Sequence, residues 1–300
     1  MKKIAVLMTG RTRTIADTAP RIVEQFKRLG ISGYDVDFFC HQTADDIVID
    51  SNEEWALIRS NIKSGNIPPD WLRECVKPTP LTDVSALQPR HSIVSSYHEL
   101  IDLYETHYDR WGKSRDIMGI GYLSQAYSVS HAAKAMVEYA NKTGTRYSYV
   151  VKWRYDLISD FNNKKNVDPF SYIKRRQICC SAVIENEAVN DAWFVAPYAT
   201  ASWAFPIIGD HYLDQMLKRF STPRLDSSKF EETLHDVVVH GLKCNPISPQ
   251  PGDFTLYSSI YRDGCTPDMT VEQLLEFNQN VWINQGWERL VLNNRGVQLY

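Results

Sequence analysis

The first forty residues alternate between apolar and polar stretches in the order strand, helix, strand. Residues 4–8 form an unbroken apolar run of strand length, and residues 34–40 alternate and then become apolar. Between them, apolar residues from Ile22 to Leu29 recur at helical spacing until Gly30. A strand–helix–strand unit is the building block of a parallel α/β sheet, so the pattern predicts that fold class.

The hydrophobic pattern also predicts helices and strands in the rest of the chain. Predicted helices cover residues 98–107, 124–140 and 230–240, and predicted strands cover 147–157, 178–183 and 192–195. Residues 41–90 are polar and interrupted by prolines, which predicts an irregular insertion with one helix near 55–62. The tail from 281 to 300 is mixed and aromatic, which predicts a final helix or strand packed on the body.

Composition narrows the class of protein. The chain has 33 basic and 36 acidic residues, a formal net charge of -3, and 43% hydrophobic residues. These values exclude a disordered chain and disfavour a general electrostatic binder of nucleic acid, which needs a basic excess. No apolar run reaches the roughly 20 residues that span a bilayer, and the opening run is too short for a signal peptide. Six scattered cysteines fit a reducing compartment, so we expect a cytoplasmic protein without a transmembrane segment.

The first candidate site follows the first predicted strand, where residues 9–13 read Thr-Gly-Arg-Thr-Arg. In an open α/β sheet, ligands bind at the carboxyl ends of the strands. Gly10 lets the backbone approach a ligand, and the N–H groups at the start of the next helix favour an anion. Arg11 and Arg13 add guanidinium groups that suit phosphate. A strand-to-helix turn with exposed arginines explains the same pattern equally well.

The second candidate site lies at the end of a predicted central strand and consists of Lys152, Arg154 and Asp156. Residues i, i+2 and i+4 of a strand share one face. Two cations and one carboxylate on one face can bind a diphosphate together with a divalent metal, Mn²⁺ or Mg²⁺. The alternative is a ladder of ion pairs on an edge strand.

Five segments resemble, in order, the motifs of a family of GT-A-like glycosyltransferases known from bacterial lipopolysaccharide and capsule gene clusters and their viral relatives. The segments are I-A-V-L-M-T-G-R-T-R-T at 4–14, Y-D-V-D-F-F at 34–39, S-Q-A-Y-S at 124–128, Y-V-V-K-W-R-Y-D-L at 149–157 and N-D-A-W-F at 190–194. They fall within residues 4–40 and 120–240, which is more than half of the chain.

The resemblance implies one GT-A-like, Rossmann-type domain over residues 1–300, with a nucleotide-binding half at 1–160 and an acceptor-side half at 161–300. It also implies a nucleotide-diphospho-sugar donor and a divalent metal held by Asp156. The donor-binding residues that it implies here are Thr9, Gly10, Arg11, Arg13, Gln125, Lys152, Arg154 and Asp156. Since the sequence Arg154-Tyr155-Asp156 has one acid where the family has D-x-D, the cations alone can also neutralise the leaving diphosphate.

An inverting glycosyltransferase needs a base that takes the proton of the acceptor. One candidate is Asp191, which precedes a predicted strand. Glu231 and His235 are the others, because positions i and i+4 of a predicted helix share a face. Structural roles compete with these assignments: Asp191 suits a turn or cap, and Glu231 suits the solvated start of a helix.

The leading hypothesis for function is a glycosyltransferase whose acceptor is the precursor of a cell-surface glycan. One alternative is a viral enzyme that glycosylates a hydroxymethylated base in DNA, for which the basic loop 164–176 with Phe170 and Tyr172 is the sequence hint. A further alternative is a non-catalytic module that binds a sugar nucleotide or a glycan.

Overall fold

The computed structural model describes most of the chain, in separate ranges. These are residues 2–10, 12, 14–30, 33–47, 69–106, 118–162, 170–180, 183–184, 188–189, 192–220, 230–248, 255–260, 265–284, 290–293 and 296–299. The predicted helix near 55–62 lies outside them.

The strands of the described ranges are β1 (Lys2–Thr9), β2 (Tyr34–Thr43), β3 (Asp45–Ile47), β4 (Val76–Pro78), β5 (His91–Ser95), β6 (Tyr149–Arg154), β7 (Leu157–Asn162), β8 (Gln177–Cys180), β9 (Val183–Ile184), β10 (Ala188–Val189), β11 (Phe194–Pro197), β12 (Asn245–Ile247), β13 (Thr255–Ile260), β14 (Leu290–Asn293) and β15 (Gly296–Leu299). The α-helices are α1 (Ile15–Gly30), α2 (Pro69–Cys75), α3 (Tyr97–Thr106), α4 (Met118–Thr143), α5 (Tyr198–Ala204), α6 (Ile208–Phe220), α7 (Phe230–Asp236) and α8 (Val271–Asn284). Short 3₁₀ turns lie at Ser85–Leu87 and Phe205–Ile207, and a π-helical turn lies at Val237–Gly241.

Seven strands form one continuous sheet in the order β12-β8-β11-β6-β1-β2-β5. All neighbouring pairs are parallel except those made by β11, which runs antiparallel to both β6 and β8. The parallel strands therefore end at one edge, the carboxyl edge, and begin at the opposite one, the amino edge. The predicted fold class, a mostly parallel mixed sheet flanked by helices, is confirmed.

Helices cover both faces of the sheet. On one face the side chains of alternate positions in the central strands pack with α4, and on the other face the intervening positions pack with α1. The α4 side includes Ala5, Leu7, Phe39, Val129, Ala133, Met136 and Val150, and the α1 side includes Ile4, Val6, Met8, Ile22, Phe26, Val151 and Trp153. Burial on both faces explains why the first strand is an unbroken apolar run rather than an alternating one.

The insertion predicted at 41–90 is more regular than the prolines indicate. Its described part holds the end of β2 together with β3, α2 and β4. The last residues of β2 are polar and nevertheless buried, because neighbouring segments satisfy them: His41 Nε2 lies 2.9 Å from Ser95 Oγ, and Gln42 Oε1 accepts the N–H of Thr82 at 3.1 Å. Because these residues are polar, the hydrophobic pattern did not indicate that the central strand continues through them.

The helices α5 and α6 were not predicted from the sequence. Pro206 and Gly209 interrupt the apolar periodicity of this segment. Gly209 is needed for packing, because a Cβ at this position would lie 3.0 Å from the Tyr127 ring of α4. Its N–H donates to Ser130 Oγ at 2.9 Å, which fixes α6 against α4 at this close approach.

Other boundaries shift by a few residues. The helix predicted at 230–240 is α-helical to Asp236 and then π-helical, and the strand predicted at 147–157 is divided by a turn at residues 155–156. In the tail, α8 begins ten residues before the predicted element and the strands β14 and β15 follow it. None of the helices in the described ranges is long and apolar enough to cross a membrane.

Candidate functional site

Strands β1 and β6 end side by side at the carboxyl edge. Thr9 is opposite Arg154 in the parallel register, and the N–H of Tyr155 donates to the Thr9 carbonyl at 3.3 Å. Thr18 of α1 donates its hydroxyl to the carbonyl of Tyr155 at 2.7 Å. These bonds join the end of β1, the first turns of α1 and the β6–β7 turn into one junction.

Arg154 and Asp156 form a bidentate ion pair at this junction. The guanidinium donates from Nε to Oδ1 and from Nη2 to Oδ2, both at 2.8 Å. The two residues were predicted to share one face of a strand, and this is wrong in detail, because β6 ends at Arg154 and Asp156 lies in the turn. The turn brings the carboxylate back to the guanidinium, so the predicted pair meets by a different local structure.

Lys152 lies beneath this pair, inside the sheet. It is 2% exposed, and its Nζ lies 5.2 Å from the centroid of the Phe194 ring on β11. Cation–π contact with an aromatic face stabilises an ammonium group away from water. Lys152 places a buried positive charge next to Arg154 and Asp156. Direct contact between Lys152 and a sugar-nucleotide donor stays a prediction.

The surroundings of Asp156 keep its carboxyl group ionised. Burial acts to raise its pKa, but the hydrogen bonds and charge of Arg154, together with the charge of Lys152, hold the pKa below its ordinary value. Among the described residues this cluster holds two cations and one carboxylate, a combination that favours a bound anion.

The described part of the turn after β1 consists of Gly10, Thr12 and Thr14. Gly10 has φ +96, a conformation that side chains rarely adopt, and a Cβ there would meet no atom of the described chain within 4 Å. Thr14, directly before α1, is 3% exposed, and its Oγ1 has no hydrogen-bond partner among the described residues. Arg11 and Arg13 lie outside the described residues, so their predicted role is untested.

The structure brings a segment to this site that the sequence did not predict, the one around Thr82. The hydroxyl groups of Thr12 and Thr82 lie 2.9 Å apart, and the N–H of Thr82 donates to Gln42 Oε1. The segment around Thr82 therefore lies against the ends of both β1 and β2. One feature of the sequence indicated this contact. Residues 41–43, which follow the apolar part of the second strand, are polar.

A stacked pair of histidines lies at the end of β2. The rings of His41 and His131 are 5.4 Å apart and nearly parallel, with an angle of 12°. Burial first, and then the charge of His131, lowers the pKa of His41 to about 3, and burial also lowers the pKa of His131. Both imidazoles are therefore neutral in the folded protein near neutral pH.

This pair makes stability depend on pH. Unfolded His41 has a pKa near 6.5, so between that value and about 3 the unfolded chain binds the additional proton and the folded state is destabilised as pH falls. We expect the free energy of unfolding to fall by up to about 1.4 kcal/mol per pH unit from His41 alone. Urea unfolding at about pH 7 and about pH 5 measures this slope.

His41→Phe should flatten that slope, and His98→Phe, at an exposed position on α3, is the control for loss of an imidazole. An equal slope in wild type and His41→Phe would show that the buried imidazole is not the group that titrates.

The remaining predicted site residues are less closely tied to this cluster. Gln125 is partly exposed on the first half of α4, the half that points to the carboxyl edge because the helix ends before β6 begins. His235 lies on α7 with its Nδ1 3.9 Å from Asp236 Oδ1. The backbone of Glu231 is part of α7, but its side chain lies outside the described structure, as does all of Asp191.

The described segments next to the candidate bases lie close together in one respect, because helix α7 contacts the short strand β10, which ends two residues before Asp191 in sequence. Strand β11 begins at the carboxyl edge next to β6, three residues after Asp191 in sequence, with Phe194 opposite Lys152. Helix α7 leads through the π-helical turn to β12, and strands β8 and β11 lie between β12 and β6.

The described residues do not fit a divalent metal at Asp156. Both carboxylate oxygens are held by Arg154, and the next charged neighbour is the cation Lys152. A divalent cation binds best where carboxylate oxygens outnumber the positive charges. In the described ranges, moreover, no three His, Cys, Asp or Glu side chains are grouped closely enough to hold a metal ion.

The basic loop that hinted at a DNA acceptor is not at this site. Lys174, Arg175 and Arg176 precede β8, which begins at the amino edge, so they lie at the opposite end of the sheet. Phe170 is buried in the core, and the hydroxyl of Tyr172 lies 3.2 Å from Cys179 Sγ. The described part of the loop therefore lies at the opposite end of the sheet from Arg154 and Asp156, and a role of this loop in binding DNA stays a prediction; Lys164 and Lys165 lie outside the described residues.

Comparison with solved structures shows a likeness in fold. The structure is similar to the apo crystal structure of mouse xyloside xylosyltransferase 1, with a TM-score of 0.32 and 10% sequence identity over 82% of this chain and 84% of that chain. No protein-family model matches the sequence, and no curated protein matches it. At so low a TM-score and identity, the function of this chain has to be argued from its own residues.

Proposed function

We propose that this protein is a glycosyltransferase that moves a sugar from a nucleotide-diphospho-sugar donor to an acceptor. The observation that carries the proposal is the oriented Arg154–Asp156 pair above the buried Lys152, at the carboxyl edge and beside the open turn at Gly10. The order of the five sequence motifs supports the same reading. Ligands of open α/β sheets bind at this edge.

In this mechanism the cations serve the leaving group. As the bond between the anomeric carbon and the phosphate oxygen breaks, negative charge grows on the nucleoside diphosphate. Asp156 fixes the plane of the Arg154 guanidinium, and the buried ammonium of Lys152 keeps the potential positive without being exposed to water. Preorganised charge of this kind stabilises a transition state because it needs no rearrangement during the reaction.

The turn at Gly10 and the start of α1 supply the second part of the donor site. A glycine with positive φ lets the backbone approach a ligand, and a helix that begins next to it presents N–H groups to a phosphate. The hydroxyl of the buried Thr14 has no hydrogen-bond partner among the described residues, which supports this assignment, since buried polar atoms normally have a partner.

The acceptor oxygen attacks the anomeric carbon while its proton passes to a base. Asp191 is the preferred candidate, because β11 begins beside Lys152 three residues later. Glu231 and His235 of α7 are the other candidates. For the acceptor we propose the hydroxyl of a glycan precursor, because the described part of the basic loop that pointed to DNA lies at the amino edge.

Thermal unfolding in the presence of nucleotides tests the proposal. A nucleoside diphosphate at about 100 times its Kd should stabilise the protein by about 2.7 kcal/mol, and the matching nucleoside should not. Because no metal step is invoked, the shift should persist in EDTA. Absence of a shift with every nucleoside diphosphate and nucleotide sugar, with or without Mn²⁺, would overturn the function; a shift without sugar transfer or donor hydrolysis would leave a binding module.

A further inference from the structure

The part of the amino edge that is formed by β6, β11, β8 and β12 carries positive side chains and no acidic ones. Four segments meet there, at residues 141–149, 170–178, 196–207 and 241–248. Together they hold six cationic side chains, here named the cationic rim: Lys142, Arg146, Lys174, Arg175, Arg176 and Lys243. All 36 acidic residues of this net negative chain lie outside these segments. These four segments therefore hold six positive charges, whereas the neighbouring part of the amino edge, at the start of β2, holds Asp35 and Asp37 paired with Lys3 and Arg90.

Hydrogen bonds place the four segments against one another. The N–H of Tyr198 donates to the Ser148 carbonyl at 3.0 Å, and the N–H of Arg176 donates to Thr200 Oγ1 at 2.9 Å. The N–H of Asn245 in turn donates to the Arg176 carbonyl at 2.8 Å. The rim thus follows the ends of the adjacent strands β6, β11, β8 and β12, in a row about 14 Å long.

The cationic side chains of the rim are exposed to solvent and do not stabilise the fold through ion pairs with the described residues. All six side chains are exposed, and none forms an ion pair with another residue that the structure describes. Arg176 and Lys243 also have φ +62 and φ +50, left-handed conformations that cost energy for residues other than glycine. Strain of this kind persists where the surrounding structure enforces it, and it is often found at functional sites.

Exposed apolar side chains lie beside the rim. Trp203 of α5 is 39% exposed and Ile207 is 36% exposed, one turn further along. Trp203 follows Thr200, the partner of Arg176, by three residues and therefore lies on a neighbouring part of the helix surface. A tryptophan and an isoleucine next to a row of cations match both parts of an anionic bilayer surface, the phosphates and the hydrocarbon boundary.

We propose that the cationic rim, with Trp203 and Ile207, docks the protein on a membrane that contains anionic lipids. Charge complementarity favours any polyanion, but an isoleucine side chain gains nothing from a nucleic-acid backbone and gains free energy in the acyl region. The rim is at the opposite end of the sheet from Arg154 and Asp156, so docking leaves the candidate site open to water-soluble nucleotides. This proposal is independent of the proposed catalytic function.

Cosedimentation with vesicles tests it at an ionic strength of about 0.15 M. Wild type should bind vesicles of phosphatidylcholine with phosphatidylglycerol and should not bind pure phosphatidylcholine. Lys174→Gln/Arg175→Gln/Lys243→Gln should lower the partition coefficient by on the order of a hundredfold, about fivefold for each cation. The control Lys77→Gln/Lys134→Gln/Lys218→Gln, at exposed positions away from the amino edge, should leave binding unchanged.

Trp203→Ser/Ile207→Ser tests the apolar part and should lower partition about tenfold. Thermal unfolding of each variant verifies that it is folded. Equal sedimentation with both vesicle types, no effect of the rim substitutions, or an equal effect of the control substitutions would overturn the proposal. So would tighter binding of a DNA duplex than of anionic vesicles through the same cations, since the partner would then be a nucleic acid.

Discussion

Asp156→Asn should lower the rate of sugar transfer about 100- to 1,000-fold. The substitution keeps the size of the side chain but removes the charge that holds the Arg154 guanidinium in its bidentate geometry. Arg154→Lys should lose a similar factor, because an ammonium group cannot reproduce two parallel hydrogen bonds to one carboxylate. Steady-state kinetics with the donor identified by thermal unfolding gives both values.

Two controls make this result specific. Lys174→Gln removes a cation at the opposite end of the sheet and should not change the rate. Thermal unfolding separates a lost interaction in the site from a lost fold, since Asp156 is buried and the substitution breaks its ion pair with Arg154. If folded Asp156→Asn transfers sugar at the wild-type rate, the role given to this residue is wrong.

Asp37→Ala should destabilise the protein by about 3–5 kcal/mol. This carboxylate is 1% exposed and accepts three charged or polar donors, Arg90 Nε at 2.6 Å, the Tyr147 hydroxyl at 2.9 Å and Lys3 Nζ at 3.3 Å. Its removal takes this acceptor away from the Arg90 guanidinium and the buried Tyr147 hydroxyl, whereas Lys3 keeps its pair with Asp35. Urea unfolding gives the difference from wild type directly.

The matched control is Asp35→Ala, two residues earlier on the same strand. Asp35 also pairs with Lys3, at 2.9 Å, but its side chain is 37% exposed. An exposed pair contributes about 0–1 kcal/mol, so this variant should differ little from wild type. Equal losses in the two variants would contradict the claim that burial determines the cost.

The sequence predicted the elements whose two faces are both buried. Residues 4–8 and 34–40 have the runs of apolar side chains that a central parallel strand needs, so the β1–α1–β2 unit could be recognised without a structure. The end of β2 could not, because His41 and Gln42 obtain their hydrogen bonds from segments that are forty or more residues away. Helix α6 was not predicted for a related reason. Gly209 interrupts its helical pattern, and a glycine stands there because the Tyr127 ring lies too close for a side chain.

The candidate site was found with the wrong local geometry. Spacing alone placed Arg154 and Asp156 on one strand, whereas a turn joins them, and no pattern along the chain indicates that Lys152 is buried against Phe194. The sequence indicated only part of the cationic rim, residues 174–176 of the basic loop. The six rim residues are spread along the chain from Lys142 to Lys243, and only the fold brings them to one edge of the sheet. The near-neutral net charge of the chain therefore gave no indication of this local positive charge.

We propose above all that the carboxyl ends of β1 and β6 bind the diphosphate of a sugar nucleotide. A crystal structure of the protein with a nucleoside diphosphate is the decisive experiment. We expect phosphate oxygens within hydrogen-bond distance of the Arg154 guanidinium, with the nucleoside against the turn at Gly10. A nucleotide bound at any other edge or face of the sheet, with Arg154 and Gly10 untouched, would contradict it.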